Sequence, residues 1–161
     1  MTHADLKPDN VMRVSSSTGS RYCIIDFSHA SIDNGISPCP SYSVSPDHAD
    51  PQGVGYQYFL PPAFAEGTPD EPMNSGVDVY SLAALAVAIL FKSIDNVVTF
   101  QKETVGRGEA LREEKLNLLF RHFPVEVRSF FFCSLGPCSI RPSIQEARDF
   151  FFERERMFTH Y

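Results

Sequence analysis

The beginning of the chain concentrates side chains that could do chemistry. The segment His3-Ala4-Asp5-Leu6-Lys7-Pro8-Asp9-Asn10 holds an imidazole, two carboxylates, an amine and an amide. A cluster of His, Asp and Lys is compatible with hydrolytic catalysis, but no Gly-x-Ser-x-Gly nucleophile elbow occurs anywhere in the sequence. The other simple interpretation is a surface turn, because Pro, Asp and Asn are common turn residues.

With one change, this segment resembles the catalytic loop of eukaryotic protein kinases, His-Arg-Asp followed by Asn. Ala4 stands where the family has Arg. The resemblance implies that Asp5 accepts the proton of a substrate hydroxyl, and that Lys7 stabilises the transferred phosphoryl group. It also implies that Asn10 holds magnesium. Lys7 is typical of the serine/threonine-type loop rather than the tyrosine-type loop.

A second part of the resemblance follows a predicted hairpin. Two β-prone runs, 11–14 and 21–25, flank a Ser/Gly-rich turn. The second run leads into Asp26-Phe27-Ser28, which is similar to the Asp-Phe-Gly motif whose Asp holds magnesium. Taken alone, Asp26 would be an ordinary strand-end carboxylate. Because Ser28 replaces Gly, a positive φ is not expected at that position. In the family the motif histidine packs on the Phe, so His3 is expected to contact Phe27.

Residues 29–55 are rich in Pro, Ser, Asp and Gly and predict a long loop. The resemblance makes this loop the activation segment. Its hydroxyls, including Ser41, Ser43 and Ser45, are phosphorylation candidates, although serine-rich loops are more often simply solvated. Ala4 argues against regulation by phosphorylation, since the family's Arg pairs with the loop phosphate.

Helices are predicted for the rest of the chain. The run 75–91 is apolar on every face, which predicts a helix surrounded by protein. Asp78 matches a family residue that accepts hydrogen bonds from the catalytic-loop backbone, and an acid near a helix start is also favoured by the helix dipole. We expect a loop with a short helix over 96–108. Further helices are predicted at 109–123, at 125–135 and from 142 onward.

Arg141 matches an arginine that pairs, in the family, with a glutamate at the end of the activation segment. That segment aligns loosely with 55–62, and Pro62 then occupies the position of the glutamate. A buried arginine without a partner is costly. We therefore expect a substitute carboxylate from one of three residues: Glu66, Asp70 or Glu71.

Composition limits the remaining possibilities. The net charge of −6 argues against a nucleic-acid partner. Four dispersed cysteines fit neither a zinc site nor a disulfide framework, so free thiols in a reducing compartment are expected. No leader peptide is visible, and the apolar run 79–91 is too short to span a bilayer. We expect an intracellular protein, cytoplasmic or nuclear, that acts on or binds other proteins and not a membrane.

The sequence therefore predicts one domain, mainly α with a small β-hairpin, similar to the C-terminal lobe of a protein kinase. Its parts are the catalytic loop and magnesium-binding hairpin (1–28), an activation-segment-like loop (29–62) and a helical subdomain (63–161). The resemblance implies a serine/threonine kinase-like transferase that uses ATP and Mg²⁺ once an N-terminal lobe completes it. This sequence contains no Gly-rich phosphate loop or strand lysine, so the chain alone is expected to be inactive. The alternatives are a truncated pseudokinase that serves as a non-catalytic interaction module, and a sequence cut short.

Overall fold

A long apolar helix, α1 (Ser75–Leu90), is the element against which most of the structure packs. The computed structural model describes residues 1–17, 19–32, 56–62 and 74–154. Within these residues the architecture is mainly helical with one two-stranded antiparallel sheet, as the sequence predicted. The other elements are β1 (Val11–Ser16), β2 (Gly19–Ile24), α2 (Asp95–Thr104), α3 (Glu109–Leu119), α4 (Val125–Ser134) and α5 (Ile144–Glu153).

Local signals explain both ends of α1. The side chain of Asn74 accepts the backbone N–H of Gly76 at 2.8 Å, which caps the helix start. At the C-terminal end of α1, Lys92 has a φ of 52°. The N–H of Ser93 donates to the carbonyl of Ala88. This left-handed residue stops the helix one position before the predicted end.

The region 96–108 was predicted as a loop with a short helix; the structure has both, but the helix (Asp95–Thr104) is longer than expected and the loop is confined to 105–108. Helix α2 covers most of it, because Val97, Phe100, Gln101 and Thr104 follow the spacing of one helical face and are all buried. The predicted helix 109–123 is shorter than expected. It ends at Leu119, and the turn that follows brings the next aromatic side chains into the core.

The core is rich in phenylalanine. Phe120 stacks on Phe131 with ring centroids 4.4 Å apart, and Phe91 meets Phe120 edge to face at 5.3 Å. A second stack joins Phe130 to Phe150 at 3.9 Å and so links α4 to α5. These aromatic pairs account for much of the high phenylalanine content of the sequence.

The hairpin pairs Val11 with Ile24 at its open end and Ser16 with Gly19 at its tip. Both strands reach closer to the tip than predicted, so the turn is shorter than the Ser/Gly-rich run suggested. Most hairpin residues are exposed. The hairpin therefore adds little to the core and serves to hold the segments at its open end.

One side of α1 is not covered within the described ranges, which corrects the prediction that it is enclosed on every face. A groove of about 890 Å³ lies between α1 and α5 and reaches Pro8 and Val11. The apolar residues along it are Leu82, Ala86 and Ile89 of α1, and Ile144, Ala147 and Phe151 of α5. Ile89 is 72% exposed.

No helix in the described ranges is long and apolar enough to cross a membrane. Cys23, Cys133 and Cys138 are free, as predicted, and Cys39 lies outside the described residues.

Candidate active site

The buried carboxylate of Asp78 connects α1 to the beginning of the chain. Its Oδ2 accepts the backbone N–H of His3 at 2.7 Å, and its Oδ1 accepts the N–H of Ala4 at 2.9 Å. Burial raises the pKa of Asp78, while the two backbone N–H groups act to lower it. This is the contact that the resemblance implied, and it holds the segment before Asp5 against the central helix.

The segment that Asp78 holds has an unusual backbone conformation. Ala4 has a φ of 65°, in the left-handed region, and is completely buried. A residue with a Cβ atom adopts this conformation at a cost of roughly 1–2 kcal/mol. The backbone hydrogen bonds to Asp78 offset that cost, and the turn at Ala4 sets the direction in which Asp5 follows.

His3 is fixed by three contacts. Its Nε2 lies 2.9 Å from the carbonyl oxygen of Ile25, and its Nδ1 accepts the backbone N–H of Asp5 at 3.3 Å. Because a carbonyl can only accept and an N–H can only donate, these bonds require the neutral tautomer with its proton on Nε2. The ring also packs on Phe27 with centroids 4.8 Å apart, the contact expected from the sequence. His3 therefore positions its neighbours.

Asp5, Lys7 and Asn10 form one polar cluster. Oδ2 of Asp5 receives Nζ of Lys7 at 2.9 Å and Nδ2 of Asn10 at 3.0 Å. Nδ2 of Asn10 also donates to the backbone carbonyl of Asp5 at 2.8 Å. Lys7 and Asn10 both donate to Oδ2 of Asp5. Oδ1 is therefore the oxygen of Asp5 that could accept a transferred proton. The side chain of Asp5 keeps 13% exposure, and Asn10 is buried.

The hairpin brings Asp26 to the same end of the molecule. The N–H of Ile25 donates to the carbonyl of Asn10 at 2.9 Å, which continues the strand pairing by one step. A short bridge between Thr2 and Ser31, with N–H to carbonyl distances of 2.8 and 2.9 Å, holds the far side of the Asp26 turn. Asn10 and Asp26 are thus carried on adjacent backbone segments.

The Asp26 turn agrees with the expectation that Ser28 has no positive φ. The positive φ, 61°, belongs to Asp26 itself, and Asp tolerates this region better than most residues. Oδ1 of Asp26 accepts the Ser28 hydroxyl at 2.6 Å and the Ser28 N–H at 3.3 Å. These bonds, the hydroxyl first, lower the pKa of Asp26. Ser28 therefore holds the Asp26 side chain and does not itself need a left-handed backbone.

The donor set of Asn10 and Asp26 suits a magnesium ion. Because Asn10 donates to Asp5 through Nδ2, its carbonyl oxygen is the atom that can ligate a cation, and Asp26 adds a carboxylate. Mg²⁺ is commonly held by one or two protein oxygens together with phosphate oxygens and waters. No group of three or more His, Cys, Asp or Glu residues that could hold a metal occurs among the described residues. A two-ligand site of this kind would depend on the phosphates of a bound nucleotide.

Arg141 lies away from this cluster. Its Nε donates to the carbonyl of Gly136 at 2.8 Å, and its guanidinium sits over the ring of Tyr80 at 5.2 Å. The three predicted carboxylate partners lie outside the described residues: Glu66, Asp70 and Glu71. So do the three candidate phosphorylation sites in the 29–62 loop: Ser41, Ser43 and Ser45.

Comparisons of the chain with protein-family models, with curated proteins and with solved structures return no match. What the site can do is therefore inferred from its own residues and geometry.

Proposed function

We propose that this chain is the C-terminal lobe of a protein-kinase-like domain, and that its polar cluster serves ATP-dependent phosphoryl transfer to serine or threonine hydroxyls when an N-terminal lobe completes the site. The resemblance of the motifs motivates the proposal. Its support in the structure is geometric, since the motif residues share one end of the molecule.

The observation that carries the proposal is the pair of hydrogen bonds that the Asp78 carboxylate accepts. They join α1 to His3 and Ala4 across 75 and 74 positions of sequence. A surface turn would not need a buried carboxylate to hold its backbone in a left-handed conformation. Strain kept in place by surrounding bonds is typical of functional sites.

Each side chain then has a definable part in the chemistry. Asp5 orients a substrate hydroxyl and takes up its proton on Oδ1. Lys7, whose Nζ is 2.9 Å from Asp5, places a positive charge where negative charge develops on the transferred group. Asn10 holds Asp5 in position and, with Asp26, offers oxygen ligands to Mg²⁺. Bound Mg²⁺ and ATP would supply the transferable phosphoryl group and neutralise its charge.

The test is a phosphoryl-transfer assay on the protein produced from its complete transcript. Transfer of labelled phosphate from ATP to a library of serine- and threonine-containing peptides is measured for the unaltered protein and for Asp5→Asn. Because the variant loses the proton acceptor, we expect its rate to fall about 10²–10⁴-fold. Asp95→Asn is the control, since Asp95 is an exposed carboxylate at the start of α2. Its rate should stay within about twofold of the unaltered protein.

Two results would count against the proposal. If Asp5→Asn transfers phosphate as fast as the control variant, Asp5 has no catalytic part. If the unaltered protein transfers none, the non-catalytic alternative is favoured. Reading the transcript upstream of Met1 for a Gly-rich strand-turn-strand and a Val-Ala-x-Lys strand is an independent check.

A specific contact favours that alternative, a pseudokinase that acts as an interaction module. The Ser28 hydroxyl occupies Oδ1 of Asp26 at 2.6 Å, an oxygen that a metal ion would otherwise use. Line broadening of the Asn10 and Asp26 amide signals by Mn²⁺ in the presence of ATP, measured on the protein from the complete transcript, separates the two functions. Broadening in the unaltered protein supports the enzyme. Broadening only in Ser28→Ala supports a site that its own hydroxyl keeps closed.

A further inference from the structure

The apolar groove between α1 and α5 is separate from the candidate active site. Its lining includes none of the four side chains to which the chemistry is assigned: Asp5, Lys7, Asn10 and Asp26. The volume, about 890 Å³, is large enough to receive side chains of another molecule. Ile89 lines the groove and is 72% exposed, so the apolar surface is accessible from outside. An exposed apolar surface of this kind commonly marks an interaction site.

The charge around the groove has one sign. Two cations line it, Lys92 directly after α1 and Arg148 of α5, and no carboxylate of the described residues does, although the net charge of the chain is −6. Arg148 is paired with the neighbouring Asp149 at 3.1 Å. Lys92 is exposed and has no ion pair with any described residue. A complementary occupant would therefore present an apolar side chain with a carboxylate beside it.

The chain itself carries such a surface on α5, next to the groove. Phe152 is 78% exposed. It follows Gln145, which lines the groove, by seven positions, and residues seven apart lie on nearly the same face of an α-helix. Phe152 therefore stands at the rim of the groove. Asp149 and Glu153 lie beside it on the same helix, and their carboxylates remain accessible.

We propose that two copies of this chain form a two-fold symmetric dimer in which Phe152 of each copy inserts into the groove between α1 and α5 of the other. In such an interface every contact occurs twice with the roles exchanged. Because Phe152 and the groove lie side by side on one surface, a single two-fold axis between them brings each to its counterpart. The carboxylates beside Phe152 then approach Lys92 of the other copy. A buried aromatic side chain in a pocket is a typical anchor of a protein interface.

The first experiment measures the mass of the full 161-residue chain by sedimentation equilibrium as its concentration rises. The mass should increase from 18.1 kDa for one copy to twice that value and then stay constant, because a two-fold interface closes on itself. A mass that remains that of one copy would overturn the proposal. So would a mass that continues to rise beyond two copies.

Two variants remove the two halves of the contact. Phe152→Ser removes the inserted side chain, and Ile89→Lys places a charge in the groove. Burial of one phenylalanine contributes more than about tenfold to an equilibrium constant, and each dimer contains two, so Phe152→Ser should raise the Kd at least about a hundredfold. Both residues are exposed in one copy, so the fold should stay intact, which circular dichroism checks. An unchanged Kd in Phe152→Ser would refute the assignment.

A mixture of the two variants tests the two-fold exchange directly. Ile89→Lys keeps Phe152, and Phe152→Ser keeps an unaltered groove. One of the two insertions is therefore restored in a mixed dimer and in neither variant alone. The mixture should associate at least about tenfold more tightly than either variant by itself. If mixing brings no gain, the copies do not exchange this contact and the proposal is overturned.

Leu118→Lys is the matched control. Leu118 of α3 is also an exposed aliphatic side chain, but it does not line the groove, so the variant should dimerise with an unaltered Kd. A Kd raised as much as in Ile89→Lys would overturn the assignment. A different occupant is indicated if the chain stays monomeric while sodium decanoate shifts the amide signals of Ile89 and Ala147. That outcome identifies an apolar small molecule as the ligand of the groove and also overturns the proposal.

Discussion

Replacing Asp78 is the sharpest test of how this structure holds its candidate active site. The carboxylate is 7% exposed and satisfies two buried backbone N–H groups, at 2.7 and 2.9 Å. In Asp78→Ala both groups lose their acceptor. A hydrogen bond to a charged group contributes about 1.5–3 kcal/mol, so the two together give about 3–6 kcal/mol.

Part of this loss is recovered, because the variant no longer buries a charge. Burial disfavours the ionised form of Asp78 and raises its pKa. We therefore expect a net loss near the lower bound, about 3 kcal/mol in the free energy of unfolding. For a chain of this length that corresponds to a Tm lower by about 6–12 °C. Asp78→Asn keeps one acceptor oxygen and should lose about half as much.

Chemical denaturation followed by circular dichroism measures the free energy, and amide hydrogen exchange locates the effect. The amides of His3 and Ala4 should be protected in the unaltered chain and should exchange faster in Asp78→Ala. Asp95→Ala is the control and should cost less than about 1 kcal/mol, because Asp95 only favours the start of α2 through the helix dipole. If Asp78→Ala costs no more than the control, or if exchange at Ala4 is unchanged, the carboxylate does not hold this segment.

The remaining predictions concern separate features. For the 161-residue chain alone we expect no measurable stabilisation by ATP and Mg²⁺ in a thermal shift assay, and a clear shift abolished by Asp26→Ala would contradict this. Hydrogen bonds from Ser28 lower the pKa of Asp26 in the folded state. The ionised Asp26 carboxylate therefore stabilises the folded state at pH values above its unfolded-state pKa. This stabilisation is lost as the pH falls through the folded-state pKa. Carboxyl NMR titration should show a higher Asp26 pKa in Ser28→Ala, and an unchanged value would remove Ser28 as the cause. The Ser143 side chain caps α5 by accepting the N–H of Glu146 at 3.2 Å. Ser143→Ala should therefore lower the free energy of unfolding in urea by about 1 kcal/mol. A decrease of less than about 0.3 kcal/mol would refute the cap. Because the groove between α1 and α5 exposes apolar side chains, the chain should self-associate as its concentration rises, and light scattering measures this. Ile89→Lys should reduce the self-association. An unchanged degree of association in this variant would mean that another surface is responsible.

Features that depend on neighbours in sequence were predictable. The hairpin follows from two β-prone runs around a Ser/Gly-rich turn, and α1 follows from its length and apolar composition. Helix α5 begins where Pro142 and Ser143 predict, because the capping contact involves residues only three positions apart. Helix α2 was underestimated, since its isolated propensity is modest and its stability comes from burying one face against the core.

The candidate site also combines features that the sequence predicts with features that depend on the fold. The sequence by itself determined which side chains are available for chemistry near the N-terminus, and the resemblance assigned them parts. Only the tertiary structure decided that Asp78 reaches Ala4 across 74 positions, that Ala4 and Asp26 are left-handed, and that Arg112 and Arg141 line one cavity. These properties arise from packing between distant segments, where burial and hydrogen bonding outweigh local preference, so no local pattern in the sequence encodes them.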